Sequence, residues 1–190
     1  GDTGTNMSMT SSAAVRELQV IDDDDISVVS SKIAAALLRG ARGNSGVILS
    51  LVFRGISNGF KGKKEVGGKD LAAALTLGKE SAYKAVMKPT EGTILTVVRK
   101  AAAAAEELSS DDCGAVLDEA YRAAQEALET TPELLPVLKE AGVVDAGGQG
   151  FLYILDGIRG YINEGKFIEN NDDASPVKSN AEENKSVVAA

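Results

Sequence analysis

Histidine and tryptophan are absent from this chain, cysteine occurs once, at position 113, and aromatic residues make up 4% of it. Without histidine there is no Ser-His-Asp or Cys-His device, no imidazole acid–base catalyst and no histidine-bearing zinc site. One cysteine cannot build an internal disulfide framework, and its scarcity suits a reducing cytoplasm. A lone thiol with no imidazole to activate it is a poor nucleophile, so Cys113 reads as a small residue near a helix start. No apolar run approaches the roughly 18–20 residues that cross a bilayer, and no signal-peptide pattern is present, so a soluble cytoplasmic protein is expected. Cations are also in deficit: 20 Lys and Arg against 28 Asp and Glu give a formal net charge of -8. That balance argues against a nucleic-acid groove, because phosphate backbones require clustered Lys and Arg. A single nucleotide is a different case, since Mg²⁺ and backbone N–H groups can hold its phosphates without a basic surface. Any catalysis must therefore come from positioning, metal, main-chain dipoles or a carboxylate.

What is present is helical periodicity. The 190 residues, 44% of them hydrophobic, suffice for one domain with a real core. Leu71, Ala74, Leu75, Gly78, Ala82, Ala85 and Val86 recur at spacings of three and four, as do Ile94, Val97, Val98, Ala101, Ala105 and Leu108. Leu117–Leu128 and Phe151–Ile162 carry two more such stripes. Further helices are expected over Met9–Leu18, Ser27–Leu38, Val47–Asn58 and Pro132–Glu140, the last with its proline in the first turn. No alternating strand pattern is visible. Ala-rich faces such as Ala101–Ala105 permit close helix approach and favour an antiparallel bundle or ring. Val47–Phe53 is apolar nearly all round and is expected at the centre. The basic, Gly-rich stretch Lys61–Lys69 reads first as a solvated linker and second as a surface for a phosphate or an acidic partner. Asp22–Asp25 resembles a metal cluster, but four consecutive carboxylates cannot all face one ion. Acids just before a helix favour its positive end, which is the preferred reading. From about Glu169 the composition turns polar and the periodicity ends, as in a flexible tail or interdomain linker.

Four Gly/polar segments stand out: Gly1-Asp2-Thr3-Gly4-Thr5-Asn6, Gly43-Asn44-Ser45-Gly46, Glu91-Gly92-Thr93 and Asp145-Ala146-Gly147-Gly148. Each precedes an apolar helical run. The first turn of a helix leaves N–H groups unpaired at the positive end of its dipole, which attracts anions. Taken singly, each segment has a plain explanation as an N-cap or turn. Taken together, they form one site if alternate helices of a ring point the same way and their N-termini meet at one rim. Asp2 would supply a cation ligand there, and the glycines would let phosphate approach the backbone. Neither the Walker pattern nor a Rossmann fingerprint after a strand is present.

At these residues the chain resembles a known family. GDTGTNM, ARGNSGVILS (41–50), KPTEGTILTV (88–97) and VDAGGQGF (144–151) are similar to the signature blocks of the DhaL, or DAK2, kinase domain. Dihydroxyacetone kinases and bacterial fatty acid kinases share that ATP-binding domain. Thr3 and the VDAGGQG block look most like the N-terminal domain of the fatty acid kinase subunit. The resemblance implies an all-α fold, an antiparallel barrel of eight helices with ATP or ADP and two Mg²⁺ ions at one rim. By position, Asp2 matches a Mg²⁺-ligating aspartate, and Thr3, Gly4, Thr5 and Asn6 match a phosphate-contacting turn. Asn44, Ser45 and Gly46 fall in a second phosphate turn, while Gly92, Thr93, Asp145, Gly147 and Gly148 fall where the family closes around the nucleotide. No side chain is assigned as a covalent catalyst. The implied reaction is transfer of the γ-phosphoryl to a fatty acid carboxylate presented by a fatty-acid-binding carrier protein. The alternatives are the ADP-binding subunit of dihydroxyacetone kinase and a non-catalytic nucleotide-binding regulatory module. The family block normally runs PDGDTGTNM after a first helix. The expectation is therefore a domain over residues 1–168 that lacks that helix and most of the metal cage, followed by a join (169–190) to further domains of the same parent protein.

Overall fold

The computed structural model describes residues 2–166. They form eight α-helices with no strand among them. In chain order these are α1 (Asp2–Val20), α2 (Ile26–Gly40), α3 (Gly43–Phe60), α4 (Gly68–Ala85), α5 (Ile94–Leu108), α6 (Cys113–Leu134), α7 (Pro136–Ala141) and α8 (Ala146–Glu164). The all-α reading holds, and each expected helix is present except that over Pro132–Glu140, which is divided between α6 and α7. The expected tail beyond Glu169 lies outside the described residues.

Short connections make sequential helices antiparallel neighbours. Each of α1 to α6 packs on the next, α8 packs on α6 and α5, and α8 also touches α1, which closes the circuit. The shared core is aliphatic and small: Leu49, Val52, Val97, Val116, Ala105, Ala120 and Ala124 are all fully buried. Alanine at these positions lets backbones approach closely, and burial of each Leu or Val side chain contributes about 1.5–3 kcal/mol. The tightest approach is α3 against α4. A Cβ on Gly55 would run into the backbone of Leu77 and Gly78, and one on Gly59 would lie 2.7 Å from Ala74 Cα.

Three sequence expectations are corrected. α1 begins at Asp2, so Asp2–Asn6 is not a turn before a helix but the helix's own first turns. Likewise α3 begins at Gly43, four residues before its first apolar side chain. Periodicity marks where a helix buries a face, and these Gly/polar starts bury little. Second, Pro132 sits inside the last turn of α6, and Pro136 is the proline that opens α7. Pro132 has no N–H for the Leu128 carbonyl; the Thr131 hydroxyl donates to that oxygen instead, at 2.7 Å. Third, α3 is not buried all round, for Val47 is 45% exposed while Leu49 and Val52 face the core.

The preferred readings of Asp22–Asp25 and of Cys113 agree with the structure, whereas Lys61–Lys69 is held more firmly than a solvated linker. Asp25 caps α2, its carboxylate accepting from the Ser27 N–H at 3.0 Å. Cys113 opens α6 with Sγ 3.5 Å from the Val66 carbonyl, and burial raises its pKa above the ordinary thiol value. The basic stretch is fastened down. Ile26 and Ser27 N–H groups donate to the carbonyls of Lys64 and Lys63, and Lys63 pairs with Asp70 at 3.1 Å.

Candidate functional site

The starts of α1 and α3 meet at one corner. Thr10, fully buried, donates from Oγ1 to the Asn6 carbonyl at 2.7 Å and accepts there from the Arg42 N–H at 3.1 Å. That hydroxyl clamps the second turn of α1 to the residue preceding α3. Gly46 leaves it room, since a Cβ there would collide with Thr10 Oγ1, and a Cβ on Gly43 would collide with Asn6 Nδ2. Gly43 also takes φ +63, which favours glycine. The N-cap of α3, Arg42, makes no side-chain cap. Among the described residues nothing accepts from the Gly43, Asn44 and Ser45 N–H groups. Asp2, Gly4, Thr5 and Asn44 are exposed beside them, with Thr3, Asn6 and Ser45 half-buried. A Cβ on Gly4 would meet open space.

The starts of α5 and α8 form a second corner, built differently. Thr93 caps α5, accepting from the Leu95 N–H at 3.3 Å and donating to the Thr90 carbonyl at 2.7 Å. Gly92 before it takes φ +84, and its N–H donates to Thr96 Oγ1 at 2.9 Å. Asp145 caps α8 through Oδ2, 2.8 Å from the Gly148 N–H, while its own N–H donates to Thr131 Oγ1 at 3.1 Å. Burial raises the Asp145 pKa, and the N–H groups of Gly148, Ile94 and Gly147 oppose that shift. The carboxylate therefore caps α8, whose Gly147 lies against Ile94 at the start of α5. A Cβ on Gly148 would come 2.8 Å from Val97 Cγ2, so this glycine sets how closely α8 sits on α5.

Between the corners, Gly150 of α8 faces Met7 of α1, which is 3% exposed. Contacts thus run unbroken from Gly43 to Asn6, from Met7 to Gly150 and from Gly147 to Ile94. The four helix starts that carry the sequence-selected residues lie at one end of the ring. The difference between the corners is chemical. The caps of α5 and α8 take the Leu95 and Gly148 N–H groups, whereas no side chain caps the N–H groups opening α3, which are free to meet an anion.

A groove of about 220 Å³ separates α2 from α3, and one of about 280 Å³ separates α6 from α8. At the helix-start face the exposed residues would read phosphate through backbone N–H groups. Among the described residues no group of three or more His, Cys, Asp or Glu side chains could hold a metal ion. The corner supplies Asp2 alone. A Mg²⁺ that keeps waters and arrives with phosphates needs only one or two protein carboxylates, and Asp2 fits that donor chemistry.

Two features of this end were not singled out from sequence. One is the Thr10 clamp. The other surrounds Glu91, whose carboxylate accepts from Tyr83 Oη at 3.0 Å, Arg99 Nη2 at 2.9 Å and Thr96 Oγ1. Burial pushes the Glu91 pKa up, but hydrogen bonds from Thr96, Arg99 and Tyr83 outweigh it and leave the carboxyl below its ordinary value. The cluster fixes the Glu91-Gly92-Thr93 loop against α4 and α5. Its members are eight and sixteen residues apart, spacings that signal nothing in the sequence.

Asp145 carries a testable consequence. Asp145→Ala removes a cap and should cost about 1 kcal/mol or more in urea unfolding, whereas Asp145→Asn keeps an acceptor for the Gly148 N–H. A carboxyl whose pKa is raised on folding loses stability as pH rises from its unfolded value of 3.8 through the folded one. The Asn variant should therefore gain on the parent over that interval and hold its gain at neutral pH. An Asn variant as unstable as the Ala variant would contradict the capping role.

The DAK2 domain family model matches residues 1–160. Protein YloV of Bacillus subtilis (strain 168) is 52% identical over 159 residues, covering 83% of this chain and 29% of YloV. Uncharacterized proteins of Staphylococcus epidermidis and of Staphylococcus aureus (strain bovine RF122) are 46% and 47% identical over the same length, with the same coverage of each chain. The chain spans less than a third of the length of these relatives.

Proposed function

Because the chain belongs to the DAK2 domain family, we propose that it is the nucleotide-binding part of a kinase that transfers the γ-phosphoryl of ATP to a fatty acid carboxylate carried by a lipid-binding partner. The reading is supported most by the uncapped start of α3 beside the start of α1. Here Gly43, Asn44 and Ser45 N–H groups meet the phosphates, with Thr3, Gly4, Thr5, Asn6 and Gly46 shaping the approach. Asp2 ligates the Mg²⁺ that accompanies the nucleotide, and the ion offsets phosphate charge. Gly92, Thr93, Asp145, Gly147 and Gly148 hold the opposite corner of the same face in place. Transfer then relies on alignment of donor and acceptor and on charge neutralisation, with little covalent participation by side chains.

No helix among the described residues is long and apolar enough to cross a membrane, and a cytoplasmic location goes with the proposal. Thr3 supports the fatty acid branch over the ADP-binding subunit of dihydroxyacetone kinase. A non-catalytic nucleotide-binding module is the second reading.

Asn44→Asp tests the phosphate corner. An acidic residue in the first turn stabilises a helix by about 0.3–1 kcal/mol, so α3 should be no weaker. The same charge repels phosphate, and calorimetric ATP affinity should fall roughly tenfold. Unchanged affinity would place the nucleotide elsewhere.

A further inference from the structure

Charge is segregated along this acidic chain. Residues 26–64 contain seven Lys and Arg and no Asp or Glu, in a protein of net charge -8. That stretch is α2, α3 and the loop that follows. Arg39 pairs with Glu17 at 3.4 Å and Lys63 with Asp70. Lys32, Arg42, Arg54, Lys61 and Lys64 have no ion-pair partner among the described residues. The groove of about 220 Å³ between α2 and α3 runs through this basic face. Ala34, Ala35 and Leu38 of α2 and Leu51 of α3 line it with apolar groups, and Ser31, Asn58 and Arg54 add polar ones. At its far end the loop bearing Lys61 and Lys64 is pinned to the first turn of α2 by main-chain hydrogen bonds.

We propose that the α2–α3 face docks an acidic segment of a protein partner, with a partner carboxylate paired to Arg54. This deepens the kinase reading, resting on its claim that the acceptor arrives on another protein. An exposed guanidinium with no internal partner offers a bidentate fork to a carboxylate. The complementary surface of a partner must be negative to meet Arg54 and the other unpaired cations of this stretch. A protein segment suits the shape better than a bilayer. The groove is concave and edged with small hydroxyl and amide groups, and Leu38 is its one large exposed apolar side chain. Arg54 lies nine residues after Ser45 on α3, about 13 Å along the axis. A partner seated there is beside the phosphate corner without occupying it.

The test uses a labelled helical peptide carrying Glu at i, i+4 spacing with Leu between, and a matched peptide with Gln for each Glu. Fluorescence anisotropy should show saturable binding of the Glu peptide only. Arg54→Glu should weaken it about tenfold or more, whereas Lys100→Glu, the same charge change on α5, should alter it less than about twofold. No binding, equal binding of the Gln peptide, or equal losses in the two variants would overturn the proposal. Tighter binding to phosphatidylglycerol vesicles than to the peptide would overturn it in favour of a membrane surface. ATP turnover with loaded carriers, measured on the same proteins, reports on the kinase reading separately. Its failure with every carrier would sink that reading and leave the peptide titration to stand by itself.

Discussion

Replacing Asp2 by alanine, in a chain extended to the length of its relatives, is expected to lower phosphoryl transfer by about 100-fold or more with the helical fold intact. The size follows from the role. A carboxylate that holds the ion neutralising a transferring phosphate acts on the transition state, where losing one electrostatic contact costs about 10²–10³ in rate. The fold should not notice, because Asp2 is exposed in the first turn of α1, with Met7 the first side chain of that helix to enter the core. At most the helix loses a favourable charge near its positive end, about 0.3–1 kcal/mol. Coupled-enzyme ATP assays and far-UV circular dichroism on the same samples separate the two effects. Undiminished turnover in Asp2→Ala would show that the metal ligand is another group.

The second large effect is structural. Gly55→Ala should destabilise the domain by about 3 kcal/mol, at the upper end of what overpacking costs. The added Cβ meets the Leu77 carbonyl and the backbone of Gly78, neither of which can swing aside as a side chain would. Gly78 closes the same contact from the other side, its own would-be Cβ lying 2.8 Å from the Val52 carbonyl. Relief therefore requires α3 and α4 to separate, which strips contacts from Val52 and Leu75 in the core. For a chain of this size the midpoint of thermal unfolding should fall by roughly 6–12 °C. Gly157→Ala in α8 is the matched control, since a Cβ there finds open space. Equal midpoints for the two variants would mean that the α3–α4 contact is not tight.

The stripes at 71–86, 94–108, 117–128 and 151–162 carried the all-α reading because each of those helices buries one face over most of its stripe, though Leu108, Ile158 and Ile162 at the far ends are exposed. Period is what burial leaves in a sequence. The starts of α1 and α3 left no such mark. Asp2–Asn6 and Gly43–Gly46 face the open end of the ring, so nothing apolar recurs there and the segments read as turns. Pro132 misled for a different reason, since the hydroxyl that compensates its missing N–H belongs to Thr131, a residue with many other uses. At the site, the four blocks were legible through their resemblance to a family. The contrast between an open corner at α1 and α3 and a self-capped one at α5 and α8 was not, because Asp145 and Asn44 look equally suited to either role until their partners are known. The basic face of α2 and α3 was written in composition, while the free state of Arg54 depends on which carboxylates the fold brings near.

The central claim is transfer of phosphate to a carboxylate that another protein presents. The direct measurement is ATP-dependent acyl phosphate formation by the chain extended to its relatives' length, captured as the hydroxamate, with fatty acid on its carrier in one arm. Dihydroxyacetone with its own carrier subunit forms the other arm, scored by ATP consumption. The account predicts product in the first arm, none when the carrier is omitted, and no ATP consumption above background in the second. Turnover with the ketose and none with the loaded fatty acid carrier would contradict it.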